Sequence, residues 1–548
     1  MLYRSQRRAR VTRMSVVDFW RHETNGDGMY IKWAHDTNNW QTLIDHLQDP
    51  YHNKSYLLEG DVQLSSLPPR VPIMNQKMVK RSVLTFKQWL NQTSGTRKAI
   101  KINIKTNEAV KPSLNYLFAA KNRLESPVII HADIWRGPGD APKPIAGRQF
   151  ILEASERFPD ATLSVGWTQP VYPELVPDRE NRYTWRDIFD MMQDTYNIHQ
   201  PVMFSVRASM AQHSVTQLLW LLGIRSTFSL HLWSDDTDTI HRWSELVKLR
   251  KYADPRQIIY DLQDKHRRKL MQHYDTMAGN VHLPPTQWHQ FRWRIVEFMN
   301  PTTTLSTVIK GGTGAALLGW PTAFLLSELV PVGAGYAHYV SGEVQFLPKA
   351  HSHAVNVADE TGLSILLLRN VQDLPSPRIE GGIQIFIGYN GFISIENRDY
   401  STQFQYGSSP HSFSYRLIPK VVTQLPQSPC YRFTLRDSNT YIDVDVQVVS
   451  DCVDNKYISS VKHQRRRHYR KILAGQQTLQ LRVPAVARQR NVIVQKQGDN
   501  AIDLMVHNLQ HVSDAGWPSA ALSSHQTLQR TKHAMIAAGI VILIRRFL

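Results

Sequence analysis

The stretch IKWAHDTNNW (residues 31–40) and the following YLLEGDVQL (residues 56–64) decide the fold of this chain. Each is built around a short apolar run typical of a strand, and His35 stands at the end of the first run. The second run carries Glu59 and Asp61 two positions apart, so both side chains point to the same face of a strand. Neighbouring strands therefore direct one histidine and two carboxylates toward one place, which indicates a functional site.

Short β-rich runs of the same kind recur along the first half of the chain. There are eight between residues 28 and 262, namely GMYIKWAH (28–35), SYLLEGDV (55–62), AIKINIK (99–105), PVIIHADI (127–134), ATLSVGW (161–167), VMFSVRA (202–208), FSLHLW (228–233) and QIIYDL (257–262). The segments between them have the apolar spacing of helices, as in WQTLIDHL (40–47) and TWRDIFDMM (184–192). Eight alternating strand and helix units fit a closed (β/α)8 barrel of the TIM type. An open doubly wound sheet would alternate too, but it usually has fewer strands and a glycine-rich phosphate loop, and no such loop follows the first run.

The pattern of the sequence changes after residue 300. From about residue 335 to 450 polar and apolar residues alternate, as in GGIQIFIGYNGFISIEN (381–397), where a Tyr-Asn-Gly turn separates two runs. This pattern predicts antiparallel hairpins that form a small β-sandwich-like domain. Beyond it, VKHQRRRHYRK (461–471) is strongly basic and patternless, which predicts an irregular basic C-terminal tail.

The predicted organisation has more than one domain, because 548 residues exceed what a single hydrophobic core usually fills. The predicted parts are a basic N-terminal segment (1–15), a barrel (16–280), a connecting segment (281–334), a β-rich domain (335–452) and a basic, largely irregular tail (453–548).

The positive charge of the protein lies at its two ends. The formal net charge is +18, but residues 1–14 carry five arginines without an acid, and residues 451–548 carry 15 basic against five acidic residues. That leaves a charge of only +3 for residues 15–450. A nucleic-acid-binding groove across the main body is therefore not expected, and no specific nucleic acid partner is predicted.

Signals for secretion, membrane insertion and disulfide bonding are sparse. The first 20 residues lack the apolar core of a secretory signal. The apolar segment 312–330 contains a proline and a glutamate, and segment 534–544 is shorter than the roughly 20 residues that span a bilayer, so both are expected to be buried or interfacial. Cys430 and Cys452 are the only cysteines, and a disulfide between them is one alternative that two residues leave open.

In a (β/α)8 barrel the chemistry lies at the C-terminal ends of the strands. Beyond the residues of the first two runs, the ends carry Lys101, Asn103, Lys105, His131, Asp133, Trp167, Arg207, Trp233, Tyr260 and Asp261. Inward-pointing polar groups need partners, because barrel interiors are normally filled by Val, Ile and Leu. Together these polar strand-end residues predict a pocket for Ca²⁺ or Mg²⁺ and a phosphate group. The alternative is that they form a set of buried ion pairs. The predicted pocket and phosphate-binding residues are Lys105, His131, Asp133, Trp167 and Arg207.

The same segments resemble, in order, the signature blocks of the menorin family. The blocks are WAHDTNNWQTLIDHL, LLEGDVQL, VPIM, IKINIK, IIHADIWRGP, ATLSVGWT, FSVRA and IIYDL, spread over about residues 16–265. The resemblance implies a barrel related to glycerophosphodiester phosphodiesterases and phosphatidylinositol phospholipase C. It also implies that His35 is an acid or base, and that Glu59, Asp61 and a third-strand residue at position 103 hold Ca²⁺ or Mg²⁺.

Two positions depart from the family pattern. Relatives have Pro-Ile-Met-Ala-His where residues 72–76 read PIMNQ, so Gln76 replaces the second histidine. Their third strand has Lys-Leu-Asp-Phe-Lys, whereas residues 101–105 read KINIK and place Asn103 at the acidic position. An amide oxygen can ligate a cation but brings no charge, and loss of an acid–base imidazole costs about 10²–10⁴ in rate.

The sequence therefore supports two functions. The departures favour a non-catalytic binding or adhesion protein, which the resemblance places outside the cell or on its surface with a protein partner. The alternative is a divalent-metal-dependent phosphodiesterase that acts on a glycerophosphodiester or a phospholipid headgroup.

Overall fold

A computed structural model describes most of the chain. The described residues are 14–49, 55–66, 68–74, 84–170, 176, 181–283, 288–297, 308–319, 322–328, 330–331, 337–349, 361–368, 382–397, 402–405, 414–417, 420–438, 440–449, 475–482, 489–498 and 500–513. The chain forms two compact units, Met1–Leu283 and Pro284–Leu548. All of the described α-helices belong to the first unit.

The first unit alternates strands and helices along the chain. Its helices are α1 (Val16–Phe19), α2 (Arg21–Thr24), α3 (Trp40–Leu47), α4 (Phe86–Thr93), α5 (Asn107–Ala120), α6 (Gly147–Arg157), α7 (Trp185–Thr195), α8 (Ala208–Ala211), α9 (Val215–Ile224), α10 (Trp243–Tyr252) and α11 (Asp264–Met277). Its strands are β1 (Trp33–Ala34), β2 (Leu57–Leu64), β3 (Pro72–Met74), β4 (Ala99–Ile104), β5 (Val128–Trp135), β6 (Thr162–Trp167), β7 (Val202–Arg207), β8 (Phe228–Trp233) and β9 (Ile258–Asp261).

Eight of these strands form one parallel sheet. Their order is β1-β2-β4-β5-β6-β7-β8-β9, and β3 pairs antiparallel with β2. Strands β4, β6 and β7 are buried along their whole length. Burial on both faces is the usual state of parallel strands covered by crossover helices.

The predicted closed barrel is corrected to a nearly closed one. Among the described residues, the ladder of backbone pairs runs from β1 to β9 without joining these two strands. Strand β1 has only two residues, so it offers little backbone for a further ladder. The two edges instead meet through a side-chain contact, in which His35 Nε2 lies 2.7 Å from Asp261 Oδ1. Gly28 adds a close backbone approach, because a Cβ at this position would stand 2.0 Å from the Ile258 carbonyl oxygen.

Local sequence signals fix where the barrel helices begin. Thr85 caps α4 and Thr184 caps α7, each in a capping box with the residue three positions later. Helix α7 then packs on α9 through aromatic rings, since the centroids of Trp185 and Trp220 are 5.6 Å apart in an edge-on arrangement. Both tryptophans are fully buried, so this contact belongs to the core that supports the barrel.

The second unit is built from strands. They are β10 (Trp293–Glu297), β11 (Val308–Lys310), β12 (Gly314–Leu317), β13 (Ala323–Ser327), β14 (Val330–Pro331), β15 (His338–Pro348), β16 (Gly362–Leu368), β17 (Ile383–Gly388), β18 (Phe392–Asn397), β19 (Thr402–Gln405), β20 (Ser414–Leu417), β21 (Lys420–Gln424), β22 (Cys430–Asp437), β23 (Tyr441–Val448), β24 (Gln476–Arg482), β25 (Gln489–Gln497) and β26 (Ile502–Ser513).

These strands form two large antiparallel sheets with a shared core. One sheet has the order β10-β13-β25-β16-β17-β18-β21, with β14 beside β25, and the other has the order β11-β12-β26-β15-β22-β23-β24. Strands β19 and β20 pair separately. A single hydrophobic cluster contains buried side chains of both large sheets, such as Ile365 and Val494 of the first and Phe433 and Leu504 of the second. The architecture is therefore a two-layered β structure.

The predicted small sandwich followed by an irregular basic tail is wrong. Strands β10–β14 precede residue 335, and strands β24–β26 follow residue 453, so the β structure is much larger than predicted. Strand β25 lies between β13 and β16, and β26 lies between β12 and β15, so both are interior strands. Their partners are distant in sequence, and for this reason no hairpin signal marked them. The basic cluster at 461–471 lies outside the described residues.

The structure describes one of the two apolar segments that the sequence predicts to be buried or interfacial. Segment 312–330 contributes β12 and β13, whose residues are buried as predicted. Segment 534–544 lies outside the described residues. In the part of the chain that the structure describes, no helix is both long and apolar enough to cross a membrane.

Removal of residues 475–548 should unfold the second unit and leave the first unit folded. Each large sheet would lose an interior strand, and each buried side chain lost from the core, such as Leu504, removes about 1.5–3 kcal/mol of burial energy. Limited proteolysis with mass spectrometry should show cleavage throughout the remaining second unit. A shorter deletion of 514–548, which keeps every described strand, is the matched control. A protease-resistant second unit in the larger deletion would show that the sheets do not need these strands.

Candidate functional site

The parallel register of the barrel strands positions the candidate site. Glu59 of β2 lies opposite Lys101 of β4, and Asp61 lies opposite Asn103. The next pairing places Asn103 opposite His131 of β5. Because side chains two apart share a face of a strand, both rows of polar side chains face the same side of the sheet. The structure thus brings together the three residues that the sequence predicts as metal ligands.

Both oxygens of the Glu59 carboxylate accept hydrogen bonds. Oε2 is 2.8 Å from Trp33 Nε1 and 3.2 Å from His35 Nδ1. Oε1 is 2.8 Å from Lys101 Nζ and 3.4 Å from Asn103 Nδ2. Burial alone would raise the pKa of Glu59, but the Lys101 and His35 cations hold this pKa well below its ordinary value. Glu59 is therefore a buried carboxylate anion.

Asp61 is held in the same way by its neighbours. Its Oδ1 atom is 2.8 Å from Asn103 Nδ2 and 2.9 Å from Lys105 Nζ. Its Oδ2 atom accepts from Asn38 Nδ2 at 3.1 Å, and its backbone N–H donates to Asn38 Oδ1 at 2.8 Å. Burial would lower the pKa of Lys105, but the charges of Asp61 and Asp133 raise it above its ordinary value. The Lys105 ammonium is thus a fixed positive charge of the site.

Asp261 links two histidines across the seam between β1 and β9. Its Oδ1 atom is 2.7 Å from His35 Nε2, and its Oδ2 atom is 2.9 Å from His231 Nε2. Burial acts to lower the pKa of His35, but hydrogen bonds to Asp261 and Glu59 raise it to about 10. Burial and the nearby Lys101 charge lower the pKa of His231 to about 4. His35 is therefore an imidazolium at neutral pH, whereas His231 is neutral.

The His35 ring is the solvent-facing part of this chain of hydrogen bonds. Its side chain is 51% exposed, compared with 5% for His231. Trp33 stacks on His231 with ring centroids 4.4 Å apart, and Lys101 Nζ lies 5.1 Å from the Trp33 ring centroid. These contacts fix the Trp33 indole, whose N–H in turn holds Glu59.

His131 and Asp133 form a second pair at the mouth of the barrel, where the C-terminal ends of its strands lie. His131 Nε2 lies 3.4 Å from Asp133 Oδ1, and His131 Nδ1 lies 2.8 Å from Ser164 Oγ. Burial and the Lys101 charge lower the pKa of His131, so this ring is neutral near pH 7. Gly166 makes room for the pair, since a Cβ at this position would stand 2.7 Å from Asp133 Oδ1. The two predicted pocket residues therefore contact each other.

Arg207, a predicted phosphate-binding residue, belongs to a separate network. Its Nε atom donates to Asp238 Oδ1 at 2.8 Å, and its Nη2 atom donates to Asp235 Oδ2 at 2.6 Å. The guanidinium carbon lies 5.1 Å from the Trp233 ring centroid, and the residue is 3% exposed. A guanidinium held by two carboxylates is a structural clamp, and it would need to leave them before it could bind a phosphate.

The remaining predicted site residues are placed as follows. Trp167 is buried between two aromatic rings, with centroid distances of 4.9 Å to Trp135 and 4.6 Å to Tyr183. Gln76 lies outside the described residues. Cys430 is buried in β22 and is disulfide-bonded, whereas Cys452 lies outside the described residues, so the pairing of these two cysteines stays a prediction.

Several residues of the site were missed by sequence reasoning. They are Trp33, Asn38 and His231. Lys101 and Asp261 are among the polar strand ends named from the sequence, and the structure adds the contacts of Lys101 with Glu59 and of Asp261 with His35. Asn38 lies in a loop, and its contact with Asp61 depends on a loop path that no local pattern encodes.

The contacts at β2 and β4 are unfavourable for a hard divalent cation. Such a cation needs several oxygen ligands that converge on one point. Here Asn103 directs its N–H groups, rather than its oxygen, at Glu59 and Asp61. The ammonium groups of Lys101 and Lys105 lie within 2.9 Å of the same two carboxylates. As hydrogen-bonded here, the predicted ligands do not fit Ca²⁺ or Mg²⁺.

A different set of three groups lies at the seam. One ligand atom each of His35, Glu59 and Asp261 falls within 4.8 Å of the others. An imidazole, however, binds a metal only in its deprotonated form. The two carboxylates that would complete the set are also those that raise the pKa of His35, so a cation there would have to displace the imidazolium proton.

Fold and site together define a class of protein, one with a nearly closed parallel barrel that carries ionisable groups at its mouth and with an antiparallel β unit after it in the chain. The chain matches the model of the Menorin N-terminal domain over residues 27–267 and that of the Menorin C-terminal domain over residues 293–511. It is 32% identical over 251 residues to Protein FAM151B of Homo sapiens, across 45% of this chain and 88% of that protein. The chain belongs to the menorin family.

Two solved structures to which the chain is similar show only a weak likeness. A lectin from Bauhinia forficata in complex with GalNAc is 9% identical, with 42% of this chain and 95% of the lectin covered at a TM-score of 0.22. An endo-1,3-beta-glucanase from Streptomyces sioyaensis is 12% identical, with 42% and 91% covered at a TM-score of 0.24. At these TM-scores we draw no conclusion about this chain from them.

We expect His35 to remain protonated at neutral pH. Because its folded pKa of about 10 exceeds the ordinary value of 6.5, its ion pairs add stability that is complete below pH 6.5 and is lost as the pH rises toward 10. Nitrogen-detected magnetic resonance titration should place its proton loss near pH 10. Asp261→Asn should lower that midpoint, because a hydrogen-bonded anion is lost. Asp133→Asn is the control, since Asp133 contacts His131 rather than His35. A wild-type midpoint below pH 7 would contradict the prediction.

Proposed function

We propose that this menorin-family protein is a non-catalytic binding protein. The observation that carries the proposal is the bonding of the Glu59 and Asp61 carboxylates. Lys101 and Lys105 each bring an ammonium group to one of them, and the Asn103 amide donates to both. The charges that a divalent cation would neutralise are thus already neutralised by the chain itself.

Such an arrangement resists replacement by a metal ion. Buried ion pairs leave a costly unpaired charge when one partner is removed, typically about 3–5 kcal/mol. The Lys101 and Glu59 side chains are 3% and 11% exposed, so their pair belongs to this buried class. A cation that bound both carboxylates would have to move two ammonium groups from their present positions.

The acid–base groups also suit catalysis poorly at neutral pH. The best catalytic pKa lies near the working pH, because the group must both hold and release a proton. The pKa of His35 is raised to about 10, which disfavours proton release. The family resemblance places a second histidine at position 76, where this chain has glutamine.

We further propose an extracellular protein as the partner, on the basis of what the family resemblance implies. The near-neutral body of the chain, +3 over residues 15–450, supports a protein partner over a nucleic acid.

A metal-dependent phosphodiesterase acting on a glycerophosphodiester or phospholipid headgroup is the second candidate. It is favoured by the half-exposed His35 ring, which faces solvent while Asp261 and His231 lie behind it. An imidazolium in this position would donate its proton to the leaving oxygen of a phosphodiester, and Asp261 would hold the ring in place.

A hydrolysis assay separates the two functions. The wild-type protein should hydrolyse glycerophosphocholine, glycerophosphoinositol and phosphatidylinositol no faster than His35→Ala, with or without added Ca²⁺ or Mg²⁺. The expectation rests on the carboxylates of Glu59 and Asp61, which are already paired with Lys101 and Lys105 and so offer no open cation site between β2 and β4. Phosphate-ester release by wild type that exceeds the His35→Ala rate tenfold or more would overturn the non-catalytic proposal in favour of the phosphodiesterase.

Calorimetry with Ca²⁺ and Mg²⁺ tests the role of Asn103 directly. Wild type should bind at best in the millimolar range, and Asn103→Asp should bind at least tenfold more tightly, about 1.4 kcal/mol, because an oxygen ligand and a charge replace an N–H donor. Asn115→Asp adds the same charge on an exposed face of α5 and should behave like wild type. Micromolar binding by wild type would contradict the proposal, and equal, negligible binding by wild type and Asn103→Asp would show that position 103 does not control a cation site.

A further inference from the structure

Four buried polar side chains lie at one end of the core of the β unit. Each is two positions from a residue of the shared hydrophobic cluster, and the pairs are Ser327 and Leu325 of β13, His338 and Val340 of β15, Asp437 and Leu435 of β22, and His511 and Leu509 of β26. Because residues two apart share a face of a strand, the four polar side chains point into the space between the two large sheets. All four are at most 5% exposed, so each needs a polar partner inside the protein.

These four residues form one continuous chain of polar contacts, which we call the relay. His511 Nδ1 lies 2.9 Å from Ser327 Oγ, and His511 Nε2 lies 3.2 Å from His338 Nδ1. His338 Nε2 in turn lies 2.9 Å from Asp437 Oδ2. The relay therefore joins β13 of one large sheet to β26, β15 and β22 of the other. Ser327 and His511 also line a cavity of about 240 Å³, a volume that admits water and so gives a proton access to this end of the relay.

One set of hydrogen bonds runs from the serine toward the aspartate. A neutral imidazole has one donor and one acceptor nitrogen. The Asp437 carboxylate accepts from His338 Nε2, and His338 Nδ1 then accepts from His511 Nε2. His511 Nδ1 in turn accepts from the Ser327 hydroxyl, whose oxygen accepts from the Val492 N–H at 2.8 Å. In this state both rings are neutral, and the relay carries the negative charge of its carboxylate.

One added proton gives a second complete set of hydrogen bonds. Ser327 Oγ lies 2.9 Å from the Glu328 carbonyl oxygen, so the hydroxyl can donate there instead. A proton on His511 Nδ1 then donates to Ser327 Oγ, because a hydroxyl oxygen has two acceptor positions. His511 passes its Nε2 proton to His338 Nδ1, so that His338 becomes an imidazolium beside the Asp437 carboxylate. The relay as a whole is then electrically neutral.

Burial favours the uptake of this one proton and opposes a second. The first proton cancels the net charge of the relay, and a buried net charge is costly. A second proton on His511 Nε2 would direct a donor at the donor on His338 Nδ1, which is 3.2 Å away. It would also leave a net positive charge between the sheets. The relay therefore accommodates a single proton.

The other ionisable groups near the relay lie at the rim of the cavity. Glu328, which follows β13, and Arg292, which precedes β10, carry opposite charges, and His289 is exposed. The other described strands beside the relay contribute uncharged side chains, namely Val330 of β14, Ile442 of β23 and Asn491 of β25. The carboxylate of the relay is thus the charge in direct contact with its imidazoles.

We propose that the relay is a one-proton switch inside the β unit. As the pH falls, a proton that enters from the cavity at His511 reverses the hydrogen bonds on both sides of this ring, and the positive charge comes to rest on His338. The Ser327 hydroxyl turns from His511 to the Glu328 carbonyl, which belongs to the segment between β13 and β14. Proton uptake is thereby coupled to the hydrogen bonding between the two sheets and to the wall of the cavity.

Nitrogen-detected magnetic resonance of the full-length protein with isotope-labelled histidine tests the switch. Over about pH 5–8, the range in which histidine ordinarily changes charge, His511 should stay uncharged and move its proton from Nε2 to Nδ1. His338 should become an imidazolium in the same step and with the same midpoint. His507 is the internal reference, because burial lowers its pKa to about 4 and it should stay neutral over this range. Separate midpoints for the two rings, a charged His511, or no change in either ring would overturn the proposal.

Two aspartate variants then test the source of the compensation. Asp437→Asn removes the anion that holds the imidazolium, so the common step should move to lower pH by about one unit or more. Asp443→Asn is the matched control, because Asp443 lies on the neighbouring strand β23 and contacts Arg436 and Gln480 rather than the relay. An unchanged step in Asp437→Asn, or an equal shift in Asp443→Asn, would contradict the assignment. The wild-type titration decides the matter alone if Asp437→Asn does not fold.

Discussion

The parallel register between β2 and β4 is the constraint on which the candidate site depends. It sets Glu59 against Lys101 and Asp61 against Asn103, so that each buried carboxylate meets a donor at the same depth of the sheet. A slip of one residue would turn one row of polar side chains to the other face of its strand. Both carboxylates would then be buried without their partners, at a cost far above that of any surface ion pair. These polar side chains thus help to set the strand register of the barrel as well as the geometry of its candidate site.

One carboxylate at the seam gives two histidines opposite protonation states. Asp261 is within hydrogen-bonding distance of both rings, but the surroundings differ. His35 has a second carboxylate, Glu59, on its other nitrogen, whereas His231 is buried close to the Lys101 ammonium and has Ser205 at its other nitrogen. The positive charge therefore stays on the ring that faces solvent. The barrel mouth presents a cation to its surroundings even though carboxylates lie directly behind it.

Much of the barrel could be predicted from the sequence, because its signals are local. The eight predicted runs correspond to β1, β2 and β4–β9, and the strand-end rule brought Glu59, Asp61 and Asn103 to one place. What escaped prediction depends on distant partners. The direction of the Asn103 amide follows from two carboxylates on another strand, and the contact of Asp261 with His35 joins residues more than 200 positions apart. No hairpin signal marked the strands β25 and β26, because their sheet partners are distant in the sequence.

The interior position of these late strands has a consequence for how the protein is made. Domains generally fold as units during synthesis, with the N-terminal one first. Every strand of the parallel sheet has left the ribosome once residue 261 has emerged. In contrast, neither large β sheet can be completed before its interior strand, β25 or β26, has been synthesised. Strands β13 and β16, and likewise β12 and β15, each keep one edge unpaired until a partner some 120–190 residues later in the same chain has been made. Unpaired edges promote association between chains. During translation, the C-terminal unit is therefore the part of the nascent protein that most needs protection by chaperones.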